Sequence, residues 1–171
     1  MFGELEENMF REMRRKKQLL SIEETREIFN LCTSGVLAVT GDDDYPYAVP
    51  LSYTFKDDKI FFHCAKAGHK IDGIKRNDKV TFTVIDRDDI IQETFTTHFR
   101  SATAFGRARI LTEDKDRREA LEGLIRKYSP DYVKEGAKEI EGDWNVVCVV
   151  EVEIEHMTGK AAIEIVNERK I

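Results

Sequence analysis

The sequence has little cysteine, no excess of basic residues and no long apolar run, and each shortage excludes a class of protein. Its three cysteines, Cys32, Cys64 and Cys148, are far apart and form no C-x-x-C pair, which predicts reduced thiols in a cytoplasmic protein. The formal net charge of −6 disfavours nucleic acid as the main partner, because phosphate backbones select basic surfaces. No apolar run can cross a bilayer, and residues 1–20 lack the apolar centre of a secretory signal.

The sequence patterns of common enzyme sites are also missing. Histidines occur at positions 63, 69, 98 and 156 without H-x-x-x-H or H-E-x-x-H spacing, so we expect no zinc site. The run Asp42-Asp43-Asp44 is expected to form a turn rather than a metal site, because Asp bonds readily to its own backbone. The sequence holds no Walker A loop, no G-x-G-x-x-G and no nucleophile elbow, and it predicts no catalytic residue.

The residues that are present predict a soluble, folded chain. Of 171 residues, 41% are hydrophobic and 35% charged, and we expect a polar arm over residues 1–20 and a single domain over residues 21–171. Basic residues cluster in the arm at Arg11, Arg14, Arg15, Lys16 and Lys17. This cluster could contact an anionic partner, but a solvated helix face or a strap on the domain is the favoured interpretation.

The order of expected elements indicates a mainly β fold. Ser21 and Glu24 form a capping box that opens the first helix. Strands are expected over residues 36–40, 46–53, 60–64, 79–86, 99–112 and 146–155, helices over 69–76, 112–128 and 130–142, and a polar loop over 87–94. In the last strand Val150, Val152 and Ile154 alternate with Glu151, Glu153 and Glu155, which predicts one core face and one water face. Short strands joined by tight turns, with helices at the edges, predict a closed or nearly closed β-barrel.

The most informative stretch covers residues 61–72, FFHCAKAGHKID. It predicts a strand, a turn at Gly68, and a helix with His69 and Lys70 in its first turn. The first N–H groups of a helix have no internal partner and carry partial positive charge. A cationic side chain beside them completes a site for a phosphate group. The sequence therefore suggests a phosphorylated ligand.

Other residues allow a functional and a structural interpretation. Pro50 interrupts an alternating strand, which indicates an edge strand or bulge whose free backbone groups can meet a ligand. His63 is expected to be a hydrogen-bonded structural residue, and Trp144 a core anchor, an interface residue or a ring partner for an aromatic ligand. The strand over 99–112 has one face of small and apolar residues, Ala102, Ala104, Gly106, Ala108 and Ile110. This face permits close approach of another backbone or a flat ligand, tight barrel curvature, or both together.

Several motifs in one order resemble a known family. They are Arg14-Arg15-Lys16, Gly35-Val36-Leu37-Ala38, Pro46-Tyr47-Ala48-Val49-Pro50-Leu51-Ser52-Tyr53, Phe62-His63-Cys64-Ala65, Gly68-His69-Lys70-Ile71-Asp72 and Phe99-Arg100-Ser101-Ala102-Thr103-Ala104-Phe105-Gly106. Over about residues 11–155 the chain resembles the FMN-binding split-barrel proteins related to pyridoxamine 5′-phosphate oxidase, in the branch of the nitroimidazole-resistance proteins.

The resemblance implies a six-stranded antiparallel split barrel and a homodimer with FMN at its interface. Carried over by position, the cofactor-binding residues are Val49, Pro50, Leu51 and Ser52 along the ring edge, Phe62 and His63 near the ribityl chain, His69 and Lys70 at the phosphate, and Ser101 and Trp144 at the flavin. The chain departs from the oxidase at Tyr47 and His69, where the oxidase has arginines, and it lacks the C-terminal substrate pattern. Pyridoxamine phosphate is therefore not the expected substrate.

The function expected from this resemblance is an FMN-dependent reductase of a small organic molecule, with NAD(P)H as a candidate electron donor. The alternative is a non-catalytic flavin or haem carrier or redox sensor on the same fold. A third possibility, an oligonucleotide-binding barrel, requires basic patches interleaved with exposed aromatics, and the acidic balance argues against it.

Overall fold

A seven-stranded antiparallel sheet forms the body of the protein in a computed structural model that describes residues 10–168. The strands are β1 (Gly35–Thr40), β2 (Pro46–Leu51), β3 (Thr54–Lys56), β4 (Lys59–Ala65), β5 (Lys79–Ile91), β6 (Thr96–Ile110) and β7 (Val147–Ala161). The helices are α1 (Ile22–Leu31), α2 (His69–Arg76), α3 (Asp114–Tyr128), α4 (Val133–Asp143) and α5 (Ile163–Glu168). Within the described residues no helix is long and apolar enough to cross a membrane.

The sheet curls into a barrel that is split between its two edge strands. The strand order is β2-β1-β5-β6-β7-β4-β3, so β2 and β3 lie at opposite ends of the sheet. Only Ser52 and Tyr53 connect these two strands, which brings the two edges close together. The fold is thus the mainly β split barrel that was expected, with seven strands instead of six because residues 54–56 form a strand of their own against β4.

The barrel interior and a layer of helices form two hydrophobic clusters. Phe29 of α1 packs in the interior with Leu37, Phe62 and Phe82, all of them fully buried. The capping box at the start of α1 is confirmed, since Ser21 and Glu24 exchange hydrogen bonds of 3.1 and 2.8 Å. On the outer side of β7, helices α3 and α4 cover Val149 with Leu121, Leu124 and Ile140.

The expectation that one face of β7 meets water is wrong at Glu151. This side chain is only 5% exposed because α3 lies over the outer side of the strand. Its carboxylate accepts hydrogen bonds from Arg109 Nε at 2.7 Å and from Lys59 Nζ at 3.2 Å. Two cations therefore compensate a carboxylate that has lost most of its contact with water.

The expected polar loop over residues 87–94 is a β-hairpin arm instead. Strand β5 continues to Ile91 and pairs with β6, and a short turn, Gln92–Thr94, joins the two strands. Both faces of this arm are exposed to water, with Ile90 73% and Phe95 96% exposed. A strand with no buried face needs no alternation of apolar and polar residues, which is why the pattern did not reveal it.

The small residues of β6 line the barrel interior. Ala102, Ala104 and Ala108 are at most 4% exposed, and β7 has a bulge opposite Phe105 and Gly106. A Cβ atom on Gly106 would lie 2.2 Å from the carbonyl oxygen of Glu153. Close backbone approach in a curved sheet therefore explains this face.

The end of the predicted arm adheres to the barrel. The Leu20 N–H donates to the carbonyl of Gly159 at 3.0 Å, Leu19 forms a bridge with Lys160, and Gln18 is buried. The strap interpretation therefore holds for this stretch. Residues 1–9 of the predicted arm lie outside the described residues.

Candidate functional site

The edge strand β2 offers unpaired backbone groups at the split of the barrel. Among residues 10–168, β2 pairs with β1 alone, and Pro50 lies opposite Val36 in this ladder. A proline is tolerated there because an edge strand does not need every N–H donor. Val49 and Leu51 are half-buried against the core, whereas Pro50 and Ser52 are exposed. The backbone along these four residues is therefore accessible from the split.

Helix α2 begins beside this strand with no side chain capping its N-terminus. Gly68 occupies the N-cap with φ 125° and ψ 168°, a conformation that is essentially restricted to glycine. Its carbonyl accepts the N–H groups of Ile71 and Asp72 at 2.9 and 3.0 Å. The amides of His69 and Lys70 precede these and have no helical acceptor, and the half-buried Lys70 side chain adds a positive charge. This donor set suits an anion.

His69 fastens α2 to the turn between β1 and β2. Its ring lies 4.1 Å from the ring of Tyr47, and its Nε2 accepts the Asp42 N–H at 3.3 Å. A histidine that accepts at Nε2 carries its proton at Nδ1, which leaves Nδ1 as a donor. His69 therefore holds the start of α2 against β2 and still has one N–H group to offer.

Arg76 completes the same attachment from the other end of α2. It donates to the Gly41 carbonyl at 2.7 Å and to Asp42 Oδ1 at 2.8 Å. The hydrogen bond from Arg76 to the carboxylate lowers the pKa of Asp42. Sequence reasoning overlooked Arg76, because its partners are distant in the chain and only the basic last turn of α2 hinted at them.

Phe62 and His63 point to opposite sides of β4. Phe62 is fully buried in the barrel core, so its side chain cannot reach a ligand at the split. His63 is exposed on the outer side, where it borders a groove of about 350 Å³ between β4 and helices α3 and α4. The groove is lined mainly by apolar residues such as Leu121, Leu124 and Ile140. The two neighbours cannot both contact one ligand through their side chains.

Trp144 lies at the end of α4, close to the turn that precedes α2. The guanidinium carbons of Arg117 and Arg118 lie 4.1 and 5.1 Å from the centre of its ring, and Arg117 donates to its carbonyl at 2.7 Å. The next residue, Asn145, accepts a hydrogen bond from Lys66 in the turn. Trp144 thus joins α3 to α4 and stands near the candidate anion site.

Ser101 is remote from the other predicted residues within one chain. It lies on the outer face of β6 between Ile85 and Lys160. The strand order places β6 three strands away from β2, a separation of roughly 14 Å. The structure therefore places the start of α2 against Tyr47, in the strand that continues through residues 49–51, and leaves Ser101 apart. In the described part of the chain, no three His, Cys, Asp or Glu side chains converge on a possible metal position.

Solved structures share this fold at low sequence identity. A candidate 5-nitroimidazole antibiotic resistance protein from Bacteroides thetaiotaomicron is 22% identical over 83% of this chain and 85% of its own, with a TM-score of 0.67. A flavocytochrome from Azotobacter vinelandii is 19% identical over 88% of this chain and 72% of its own, with a TM-score of 0.72. The FAD and haem binding protein from Mycobacterium smegmatis is 17% identical over 85% and 73%, with a TM-score of 0.70.

These identities establish the split-barrel fold alone. No curated protein sequence matches the chain. A sequence model of the pyridoxamine 5′-phosphate oxidase family, however, matches residues 21–161, which contain the whole barrel and the start of α2. The chain therefore belongs to the pyridoxamine 5′-phosphate oxidase family.

Proposed function

We propose that this protein binds FMN and is a flavin-dependent oxidoreductase that reduces a small organic molecule. Family membership supports a flavin, and the carrying observation is the uncapped start of α2 with Lys70, placed beside the open edge of β2. A terminal phosphate dianion suits such a helix start better than the diphosphate of FAD, because the diphosphate distributes its charge over two bridged phosphate groups.

The residues present fit this coenzyme in two places. The amides of His69 and Lys70, the Lys70 ammonium group and the Nδ1–H of His69 are donors for the phosphate. The exposed backbone of residues 49–52 offers hydrogen bonds to the edge of the ring. A bound flavin supplies hydride and electron transfer, and the protein contributes binding, orientation and hydrogen bonds that tune the ring. NAD(P)H is the proposed electron donor.

We further propose a homodimer with the coenzyme between the two copies. The outer face of the sheet exposes Val36 by 40%, Ile85 by 65% and Phe105 by 38%, an apolar surface suited to a second copy. Ser101 lies on this face, three strands from β2. A role for Ser101 at the flavin of the partner subunit would reconcile its distance from the anion site with the family resemblance. Three free thiols fit a cytoplasmic location.

A fluorescence titration with two ligands tests the phosphate site. Replacing Lys70 with alanine should weaken FMN binding by about 10-fold to 100-fold, the value of a charge-assisted hydrogen bond. Binding of riboflavin, which has no phosphate, should change little. The matched control is Lys75→Ala, an exposed lysine in the last turn of the same helix, which should leave both affinities unchanged. Equal loss of FMN and riboflavin in Lys70→Ala would contradict the assignment.

A non-catalytic carrier is the second candidate. The structural neighbours include a flavocytochrome and a protein that binds FAD and haem. The absorbance spectrum distinguishes these functions. A yellow protein that NAD(P)H bleaches and a small acceptor recolours supports the reductase. Stable colour without turnover supports the flavin carrier, and a haem spectrum supports the haem carrier.

A further inference from the structure

Two of the three cysteines meet in the folded chain although they are distant in sequence. Cys64 near the end of β4 and Cys148 near the start of β7 are direct partners in the antiparallel ladder. Directly opposite residues of such a ladder point to the same side of the sheet. Both thiols therefore face the barrel interior, where Cys148 is buried and Cys64 is half-buried. The third cysteine, Cys32, caps the end of α1.

The register satisfies the main geometric demand of a disulfide. Opposed residues in an antiparallel pair have Cα atoms about 4.5 or 5.5 Å apart, and disulfides span Cα distances of about 4.4–6.8 Å. Their Cβ atoms lie about 4.5–5.5 Å apart, against about 3.5–4.5 Å in a disulfide, so the strands must approach by up to about 1 Å. Neither strand needs to change its register.

We propose that Cys64 and Cys148 are a reversible redox site that forms a cross-strand disulfide by exchange with a low-molecular-weight disulfide such as oxidised glutathione. The half-buried Cys64 loses its proton and attacks the small disulfide, which forms a mixed disulfide and releases one thiol. Cys148 then loses its proton and attacks the mixed disulfide, which releases the second thiol. Two protein thiols are oxidised, one small disulfide is reduced to two thiols, and no other reactant is required.

The exchange is expected to be slow at neutral pH. Burial raises the pKa of Cys64 to about 11, with a further contribution from Cys148 and an opposing one from Lys70. The thiolate is the attacking species, so the rate should rise by about tenfold per pH unit below this pKa. A slow exchange keeps the pair reduced during brief exposure and oxidises it under sustained oxidising conditions.

The position of the pair connects it to the start of α2. Cys64 lies just before the turn at residues 66–68, and Lys66 in this turn bonds the carbonyl of Asn145 just before β7. A bond between β4 and β7 would therefore restrain this turn from both sides. An effect on coenzyme binding rests on the proposed function: a restrained turn should bind FMN about threefold or more tightly, because less ordering remains to be done.

Intact mass and peptide mapping after incubation with oxidised glutathione at pH 9 test the site. The wild-type chain should lose two hydrogens, about 2 Da, and yield a Cys64–Cys148 peptide that a reducing agent releases. Cys32→Ser should behave identically, whereas Cys148→Ser should not form the link. Retention of three thiols in the wild type, stable mixed disulfides, a link to Cys32 or a link between chains would each overturn the proposal.

An FMN titration of the oxidised and reduced wild-type protein then tests the connection to α2. Tighter binding in the oxidised state supports it, and equal affinity overturns it. If neither state binds FMN, the proposed function fails, while the mass result still decides whether the disulfide site exists.

Discussion

Two glycine-to-alanine substitutions, one expected to lower and one to raise the free energy of unfolding, test the backbone conformation of the turn before α2. Gly68 and Gly142 both face open space, since an added Cβ would meet no atom within 4 Å at either position. They differ in their backbone, because Gly68 has φ 125° at the start of α2 and Gly142 lies within α4. Any difference between the two substitutions therefore reports backbone conformation rather than crowding.

The magnitudes follow from this difference. At Gly68 an alanine must adopt a conformation that costs about 1–3 kcal/mol, offset by about 0.4–1 kcal/mol from its more restricted unfolded state. The midpoints of these two ranges give a net loss of about 1.3 kcal/mol in the free energy of unfolding for Gly68→Ala. Gly142→Ala should stabilise the protein by up to about 0.5–1 kcal/mol, because alanine favours helical backbone.

Urea unfolding of both variants measures the free energies, and an FMN titration measures the consequence for the site. Gly68→Ala should also weaken FMN binding, since strain at the N-cap moves the amides of His69 and Lys70. Gly142→Ala should bind FMN like the wild type. A Gly68→Ala protein as stable as the wild type, or a Gly142→Ala protein destabilised as much as Gly68→Ala, would show that the backbone conformation of Gly68 does not limit the stability of this turn.

Three further predictions concern the contacts that hold the barrel around the site. Glu151→Gln should lower the free energy of unfolding by about 1–3 kcal/mol, because it weakens two charge-assisted hydrogen bonds. Glu153 is exposed on the same strand, and Glu153→Gln should change this free energy by less than about 0.5 kcal/mol in the same urea titration. Tyr128→Phe removes the hydroxyl that accepts the backbone N–H of buried Tyr53 at 2.8 Å. The free energy of unfolding should fall by about 1–3 kcal/mol, which a thermal melt measures as a lower Tm. An unchanged Tm would contradict the role of this hydroxyl. The hydrogen bond from Arg26 lowers the pKa of Asp58 in the folded protein. The ion pair therefore stabilises the fold fully above the ordinary Asp pKa of about 3.9, and this stabilisation is lost as the pH falls through the lower pKa of the folded state. Near pH 6 the wild type should be slightly more stable than Arg26→Gln, and the difference is small because both side chains are half-exposed. At acid pH the two free energies of unfolding should converge. A difference that does not change with pH would contradict the ion pair.

Local signals in the sequence predicted the elements that carry the candidate site. The capping box at Ser21 and the helix over residues 69–76 need only near neighbours in the chain, and the structure has α2 as His69–Arg76. Pro50 indicated an edge strand, because the lost N–H donor is a property of the residue itself. These features follow from short-range chemistry that any fold must respect.

Features that depend on distant parts of the chain were not predictable in the same way. Glu151 is buried because α3 packs over β7, and the two cysteines meet because β4 pairs with β7 in one register. The period of two in a strand, by contrast, was sufficient to show that Phe62 and His63 face opposite sides. The family resemblance assigned both to one ligand and so concealed that geometry.

A crystal structure of the protein grown with FMN would show whether the start of α2 binds the phosphate. We expect one FMN per chain, with its phosphate within hydrogen-bond distance of Lys70 Nζ and of the amides at the start of α2, and its ring along residues 49–52. A phosphate bound elsewhere, or a crystal whose α2 N-terminus holds no FMN at saturating concentration, would contradict it.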